Sequence, residues 1–176
     1  MQSIVLGGGC FWCTEAVFTQ VAGVTAVESG YCNGHVINPS YEDICTGDTG
    51  HTEVIKVTFD EAKVDLATLL NIFFATHDPS TLNRQGNDVG SQYRSGIYYQ
   101  SDDQKQTANE VKNALIAQEI FDRPIVTEIE ALTNYSSAEA YHQRYFELHP
   151  GQGYCAAVIA PKVAKFRKQF TSLLNG

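Results

Sequence analysis

The chain has 176 residues and a formal net charge of −8, with 43% hydrophobic and 18% charged residues. This length predicts a single domain, residues 1–176, with a substantial core, and the composition is typical of a globular protein. The negative charge argues against a nucleic-acid partner, because a phosphate backbone binds basic surfaces.

The hydrophobic pattern predicts strands and helices that alternate along the chain. The predicted elements, in order, are strand 3–6, helix 11–20, strands 24–31 and 53–59, helix 66–76, strand 95–99, helix 102–118, strand 125–131, and helices 137–146 and 162–174. Two long polar loops, 32–52 and 77–93, interrupt them, and loops of this length are usually functional.

The first six elements follow the order β-α-β-β-α-β. This order predicts an α+β fold, a two-layer α/β sandwich with a ferredoxin-like core and a C-terminal extension. In such a core the sheet is mainly antiparallel and the helices cover one face.

The first residues of the chain do not resemble a targeting signal. They lack the positively charged segment and the long apolar run of a signal peptide, so we predict none. No apolar run approaches the roughly 18 residues that a membrane span needs. We therefore expect a cytoplasmic monomer that binds no membrane.

Five cysteines stand in the sequence, at Cys10, Cys13, Cys32, Cys45 and Cys155. An odd count in a chain of this kind argues against a structural disulfide framework. The thiols are then core residues, metal ligands or redox groups.

Cys10 lies where the glycine run Gly7–Gly9 gives way to a predicted helix. Backbone N–H groups at a helix start favour negative charge, so we expect a depressed pKa and a nucleophilic thiolate at Cys10. The glycines also let a substrate approach closely.

Four other kinds of site are partly consistent with the segment around Cys10 and Cys13. A dinucleotide-binding G-x-G-x-x-G motif fails, because Trp12 stands at the third glycine position. A zinc module would suit the spacing of Cys10 and Cys13, but no second close pair follows. A thioredoxin-type dithiol oxidoreductase, despite the bulky Phe11-Trp12 insert, and a bland core pair of cysteines stay open as alternatives.

Glu53 is a candidate proton donor. The alternation of 53–59 places Glu53 on the same strand face as Ile55, Val57 and Phe59. Burial raises a carboxyl pKa, so Glu53 would hold its proton and could donate it. His51 would be the general base of a cysteine hydrolase, but we expect a structural role for His51, as for His77.

Five separated blocks together resemble the peptide methionine sulfoxide reductase A family. They are Gly9-Cys10-Phe11-Trp12, Asn38 to Tyr41 with Cys45 to Glu53, His77-Asp78-Pro79, Arg84 to Ser95, and Gly153-Tyr154-Cys155. The resemblance spans nearly the whole chain. It implies the family's fold, reduction of methionine-S-sulfoxide as repair of oxidative damage, no bound cofactor or metal, and thioredoxin as reductant and partner.

The resemblance also implies roles in the reaction. Cys10 would attack the sulfoxide sulfur and become a sulfenic acid, with Glu53 as the acid and Tyr41 and Tyr93 bonded to the oxygen. Asp88 would position the substrate. Phe11 and Trp12 offer an apolar wall for its methyl group.

A second cysteine would then form a disulfide that thioredoxin reduces. Cys155 matches a recycling cysteine of many members, and we expect Cys155 to be the resolving cysteine, carried toward Cys10 by a mobile glycine-rich segment. Cys13 stands where many members carry glycine, so it is an alternative or a relay. Cys32 and Cys45 are expected to be bystanders.

Overall fold

The computed structural model describes residues 1–174. The strands are β1 Gln2–Gly7, β2 Val24–Cys32, β3 Thr52–Phe59, β4 Arg84–Gln85, β5 Asp88–Val89, β6 Gly96–Tyr99, β7 Glu128–Ala131 and β8 Ser136–Ser137. The α-helices are α1 Phe11–Phe18, α2 Tyr41–Cys45, α3 Leu66–Ala75, α4 Asp102–Ala117, α5 Tyr145–Leu148 and α6 Ala160–Gln169. A π-helical segment, Cys155–Ile159, leads into α6.

One six-stranded sheet, in the order β7-β6-β1-β3-β2-β8, forms the framework. The pairs β6–β1, β1–β3 and β3–β2 are antiparallel, whereas β6 and β7 are parallel. The four strands of the predicted core therefore have the order expected of a ferredoxin-like unit, and the α+β fold is confirmed.

The alternation predicted for 53–59 is confirmed in β3. Glu53, Ile55, Val57 and Phe59 are all buried, and the three apolar residues belong to the main core together with residues of α1 and α3. Val54, on the other face, is buried in a smaller cluster with Cys32. Because β3 lies between β1 and β2, its side chains are held firmly on both sides.

Side-chain caps start several helices at the predicted places. Asp65 accepts from the Thr68 amide at 2.8 Å at the start of α3, and Ser101 accepts from the Gln104 amide at the start of α4. Ser40 and Asp43 form a reciprocal capping box on α2, a helix that the polar pattern of 32–52 did not predict.

Two C-terminal predictions are wrong in detail. The helix predicted over 137–146 is divided into β8, a 3₁₀ turn Ala140–His142 and α5. The last helix begins earlier than predicted and α6 ends at Gln169. In residues 1–174, no helix is long and apolar enough to cross a membrane.

Gly9 is the glycine on which the approach to Cys10 depends. It has φ +94°, and a Cβ added there would lie 2.5 Å from Gln85 Cγ and 2.8 Å from Gln85 Cβ. Gln85 in turn bonds the Asp78 backbone at both its amide and its carbonyl. The chain therefore has no room for a side chain at this position.

We predict that Gly9→Ala destabilises the fold more than Gly47→Ala. Gly47 also has positive φ, +78°, but no atom lies within 4 Å of an added Cβ. Both variants carry the left-handed strain of about 1–2 kcal/mol, and Gly9→Ala adds an overlap of about 1–3 kcal/mol. Urea unfolding measures the difference, and equal free energies of unfolding would contradict it.

Candidate active site

Cys10 is the N-cap residue of α1 and is half-buried. Its carbonyl accepts from the Cys13 amide at 3.0 Å, which closes the first helical turn. The strand β1, the bend at Gly9 and this turn together place the Cys10 side chain at the edge of the core.

Glu53 lies behind that turn and is 1% exposed. The Phe11 amide donates to Glu53 Oε1 at 3.2 Å, so the carboxyl faces the residue next to Cys10. Burial raises the pKa of Glu53 to about 8, against the lowering effect of the Phe11 hydrogen bond. The carboxyl therefore keeps its proton at neutral pH, as the alternation predicted.

The two thiols of the C-x-x-C segment behave as a pair. A hydrogen bond between them raises the pKa of Cys10 well above its usual range, and burial and the Glu53 charge add to this effect. The same bond lowers the pKa of Cys13 to about 7. One sulfur is thus ionised near neutral pH while the other holds the proton.

The low pKa expected for Cys10 is therefore wrong for the resting site. The Trp12 backbone N–H does lower the pKa of Cys10, as a helix start should, but this is the smallest of the contributions. The hydrogen bond with Cys13, burial and the charge of Glu53 together outweigh the effect of the helix terminus on the pKa of Cys10.

Tyr154 joins Cys13 to the loop that carries Asp88. Its hydroxyl donates to Asp88 Oδ2 at 2.8 Å and lies 3.7 Å from Cys13 Sγ. The three groups share a cavity of about 270 Å³ with Cys10. The remaining lining residues are Gln85, Gly86, Asn87, Val158 and Lys162.

Cys155 is buried in a small apolar cluster with Cys13 and Val163, and Cys10 packs against the same cluster. Burial raises the pKa of Cys155, and the nearby Cys13 raises it further. Cys155 begins a helical segment, so it lies on ordered backbone rather than in the loop that ends at Tyr154. Three of the five cysteines thus meet at one place.

Tyr41 and Tyr93 are half-buried and their phenols stay protonated. Burial raises the pKa of each, and the charge of Glu53 contributes next in both. The charges of Asp88 and Cys10 also act on Tyr93. Both predicted tyrosines are therefore within electrostatic reach of Glu53 as hydroxyl donors.

Trp12 forms an aromatic wall together with residues from the C-terminal half. Its ring stacks on Tyr145 at 3.8 Å between centroids, and its Nε1 donates to His142 Nδ1 at 3.1 Å. Phe11, 1% exposed, packs against the other side of His142 at 5.1 Å. Trp12 is the more accessible of the two predicted wall residues.

His142, Tyr145 and Tyr154 are site residues that the sequence analysis missed. They come from an irregular segment without hydrophobic periodicity. The sequence signal that could have identified one of them is the Gly153-Tyr154-Cys155 block, in which only Cys155 was assigned a role.

The other candidates lie elsewhere. His51 Nε2 bonds the Val36 carbonyl at 2.6 Å, and His77 bonds Ser95 Oγ at 2.7 Å and has a pKa lowered by burial to about 4. Cys32 is buried on the opposite face of the sheet, and Cys45 is exposed. Within residues 1–174 no group of three His, Cys, Asp or Glu side chains is arranged to hold a metal ion.

Comparison with known proteins gives consistent matches. The family model described as peptide methionine sulfoxide reductase matches residues 2–174. The chain is 52% identical to the peptide methionine sulfoxide reductase MsrA of Chromobacterium violaceum, over 99% of both chains.

Solved structures agree with these sequence matches. Mxr1 from Saccharomyces cerevisiae in its reduced form superposes with a TM-score of 0.82 at 34% identity, over 88% of each chain. Mxr1 in complex with Trx2 gives a TM-score of 0.58 at 25% identity, over 82% of this chain and 84% of that one.

We predict that the burial of Glu53 makes stability depend on pH. Its pKa rises from 4.5 to about 8 on folding, so the folded protein keeps a proton that the unfolded chain loses. This contribution is complete below pH 4.5 and is lost as pH rises toward 8, by about 1.4 kcal/mol per pH unit.

Urea unfolding between pH 5 and 8 tests this dependence. Glu53→Gln should remove the Glu53 contribution of about 1.4 kcal/mol per pH unit from the slope, because a neutral amide binds no proton, whereas Glu61→Gln at an exposed position should keep it. Parallel pH profiles for the wild type and Glu53→Gln would exclude a raised pKa.

Proposed function

The chain belongs to the peptide methionine sulfoxide reductase family and is an oxidoreductase that acts on methionine sulfoxide, and we propose that it reduces the S epimer, free or in proteins, through a sulfenic acid on Cys10. The observation that carries this proposal is the buried carboxyl of Glu53, hydrogen-bonded to the residue next to Cys10, where burial raises its pKa to about 8. The proposed reaction would repair oxidised methionine.

Proton supply from Glu53 makes the sulfoxide sulfur a better electrophile. Cys10 attacks that sulfur while the sulfoxide oxygen is protonated, and Tyr41 and Tyr93 hydrogen-bond the oxygen as its charge grows. The attack forms a bond between the two sulfurs. The hydroxyl then moves from the methionine sulfur to the Cys10 sulfur as the bond between the sulfurs breaks, so Cys10 ends as a sulfenic acid and methionine leaves. The Cys10 thiol and the sulfoxide together supply every atom of both products.

The ionised Cys13 sulfur is the acceptor for the Cys10 proton. Cys10 has a raised pKa in the resting pair, so it becomes a nucleophile only when its proton moves to a neighbour. Cys13 is already hydrogen-bonded to it and has a pKa of about 7. Attack and proton transfer can therefore occur together.

Substrate orientation follows from the polarity of the methyl sulfoxide group. We assign the methyl group to the aromatic wall at Trp12, with Phe11 behind it. Asp88 and Tyr154 line the cavity where the rest of the methionine would lie, and Asp88 can accept from a backbone or α-amino N–H.

For recycling, we propose that Cys13 resolves the sulfenic acid and Cys155 acts as relay. Cys13 attacks Cys10 sulfur, the hydroxyl leaves with a proton as water, and a Cys10–Cys13 disulfide remains. Cys155 lies in the same cluster as Cys13, so exchange would convert the first disulfide into a Cys13–Cys155 disulfide for reduction by thioredoxin. Such a cycle requires a reducing compartment, and we therefore propose a cytoplasmic, monomeric enzyme.

We predict that Glu53→Gln retains part of the activity while Glu53→Ala loses far more. The amide still donates a hydrogen bond to the sulfoxide oxygen, whereas alanine donates none. Removing one such donor typically costs about 100-fold or more in kcat. Steady-state turnover with dithiothreitol measures both, and equal activity would remove Glu53 from the mechanism.

The pH dependence of kcat tests whether Glu53 acts as the acid. Wild-type kcat should fall as pH rises above about 8, where the carboxyl ionises, and Glu53→Gln should lack this alkaline limb. Glu61→Gln serves as the exposed control.

The function and the recycling order are tested with the two separated sulfoxide epimers. We expect the wild type to turn over one epimer, with dithiothreitol or thioredoxin. Without reductant it should release one methionine per enzyme and lose two thiols. No turnover of either epimer would overturn the function and leave a general dithiol oxidoreductase, which would reduce insulin disulfides instead.

Cys13→Ser and Cys155→Ser separate the two recycling roles. Both should lose thioredoxin-driven turnover. Cys155→Ser should keep turnover with dithiothreitol, whereas Cys13→Ser should turn over more slowly with dithiothreitol, because this variant also lacks the acceptor for the Cys10 proton. Only Cys13→Ser should stop at a sulfenic acid that dimedone traps, because Cys155→Ser still forms the first disulfide. A trapped sulfenic acid in Cys155→Ser and none in Cys13→Ser would reverse the order.

A further inference from the structure

A groove with a volume of about 630 Å³ lies beside the site and is distinct from it. It lies between the end of α3, the segment that follows α4, and α6. Its lining residues are Ala75, Thr76, His77, Asp78, Ser80, Gln85, Ile120, Phe121, Asp122, Arg123, Pro161, Lys162, Lys165, Phe166 and Gln169. Its volume is in the range of ordinary ligand pockets.

The groove adjoins the Cys10 cavity. Gln85 and Lys162 line both spaces, so they form the shared boundary between them. Gln85 is fixed there by two hydrogen bonds to the Asp78 backbone, at 2.7 and 2.8 Å. A chain that enters with its methionine side chain at Cys10 can continue into the groove.

Charge in the groove is opposite to that of the whole protein. Lys162 and Lys165 project from α6, and within residues 1–174 neither has an acidic partner at ion-pair distance. Asp78, on the facing wall, accepts hydrogen bonds from the Ser80 amide and hydroxyl, and its Oδ2 lies 3.6 Å from a guanidinium nitrogen of Arg123. Asp122 is the only other acid among the lining residues, so the unpaired charge is positive.

The groove also has apolar walls suited to a polypeptide. Ile120 is 56% exposed at one rim, and Phe166 is buried at the base. A free amino acid bound at Cys10 is too short to use the groove.

We propose that this groove binds the polypeptide segment next to the oxidised methionine and favours acidic side chains in that segment. The proposal rests on the function proposed above and names the class of protein substrate that the site prefers. Lys165, outside the Cys10 cavity, selects by charge without taking part in the reaction.

Steady-state kinetics with dithiothreitol test this preference. The substrates are free methionine sulfoxide and peptides that carry glutamates, glutamines or lysines within four residues on one side or the other of the oxidised methionine. The wild type should show the highest kcat/KM for a glutamate peptide, and 0.5 M salt should reduce that advantage.

Lys165→Glu is the decisive variant, and Lys168→Glu on the same helix, exposed and outside the groove, is its control. Lys165→Glu should lower kcat/KM for the preferred glutamate peptide roughly threefold to tenfold and raise it for the matching lysine peptide. Free methionine sulfoxide and Lys168→Glu should be unaffected.

Three outcomes would overturn the groove assignment while leaving the reductase function intact. One is equal kcat/KM for the three peptide classes on the wild type. Another is an equal effect of Lys165→Glu and Lys168→Glu. The third is a loss confined to thioredoxin-driven turnover, which would assign the groove to the reductant. Failure of the function itself would appear separately, as no turnover of free methionine sulfoxide by the wild type.

Discussion

The hydrogen bond from the Phe11 amide to the buried carboxyl of Glu53 joins the first turn of α1 to the interior strand β3. Taking a carboxylate out of water costs several kcal/mol, and one backbone bond does not offset that. The group therefore stays neutral at pH 7. A protonated acid next to Cys10 is a consequence of strand alternation and burial together.

A neutral acid at this position leaves the thiols to control the charge of the site. Two sulfurs one helical turn apart share a proton, so their ionisation belongs to the pair. The same shared proton therefore stabilises the Cys13 thiolate and keeps Cys10 protonated. A glycine at position 13 would remove this partner, and the pKa of Cys10 would then depend on burial, the charge of Glu53 and the Trp12 backbone N–H.

The parts of the molecule that follow a periodic pattern were predictable from the sequence. Strand β3, helix α3, the β-α-β-β-α-β order and the burial of Glu53 all follow from spacing. The segment after β7 has no such pattern. Its backbone is held by individual side chains, as where Gln143 bonds both backbone groups of Ser29, and such pairings across 114 residues leave no local signal.

That irregular segment is what completes the site. Glu15, buried in α1, accepts from the Tyr145 amide at 3.2 Å, which places Tyr145 under the Trp12 ring. A few residues later Tyr154 reaches Asp88, and Cys155 enters the cluster that contains Cys13. The start of α1 thus carries Cys10 and Cys13, and both pack with Cys155 in one cluster. The spacing of Cys10 and Cys13 is set by one helical turn, whereas the position of Cys155 depends on the segment Cys155–Ile159 that leads into α6.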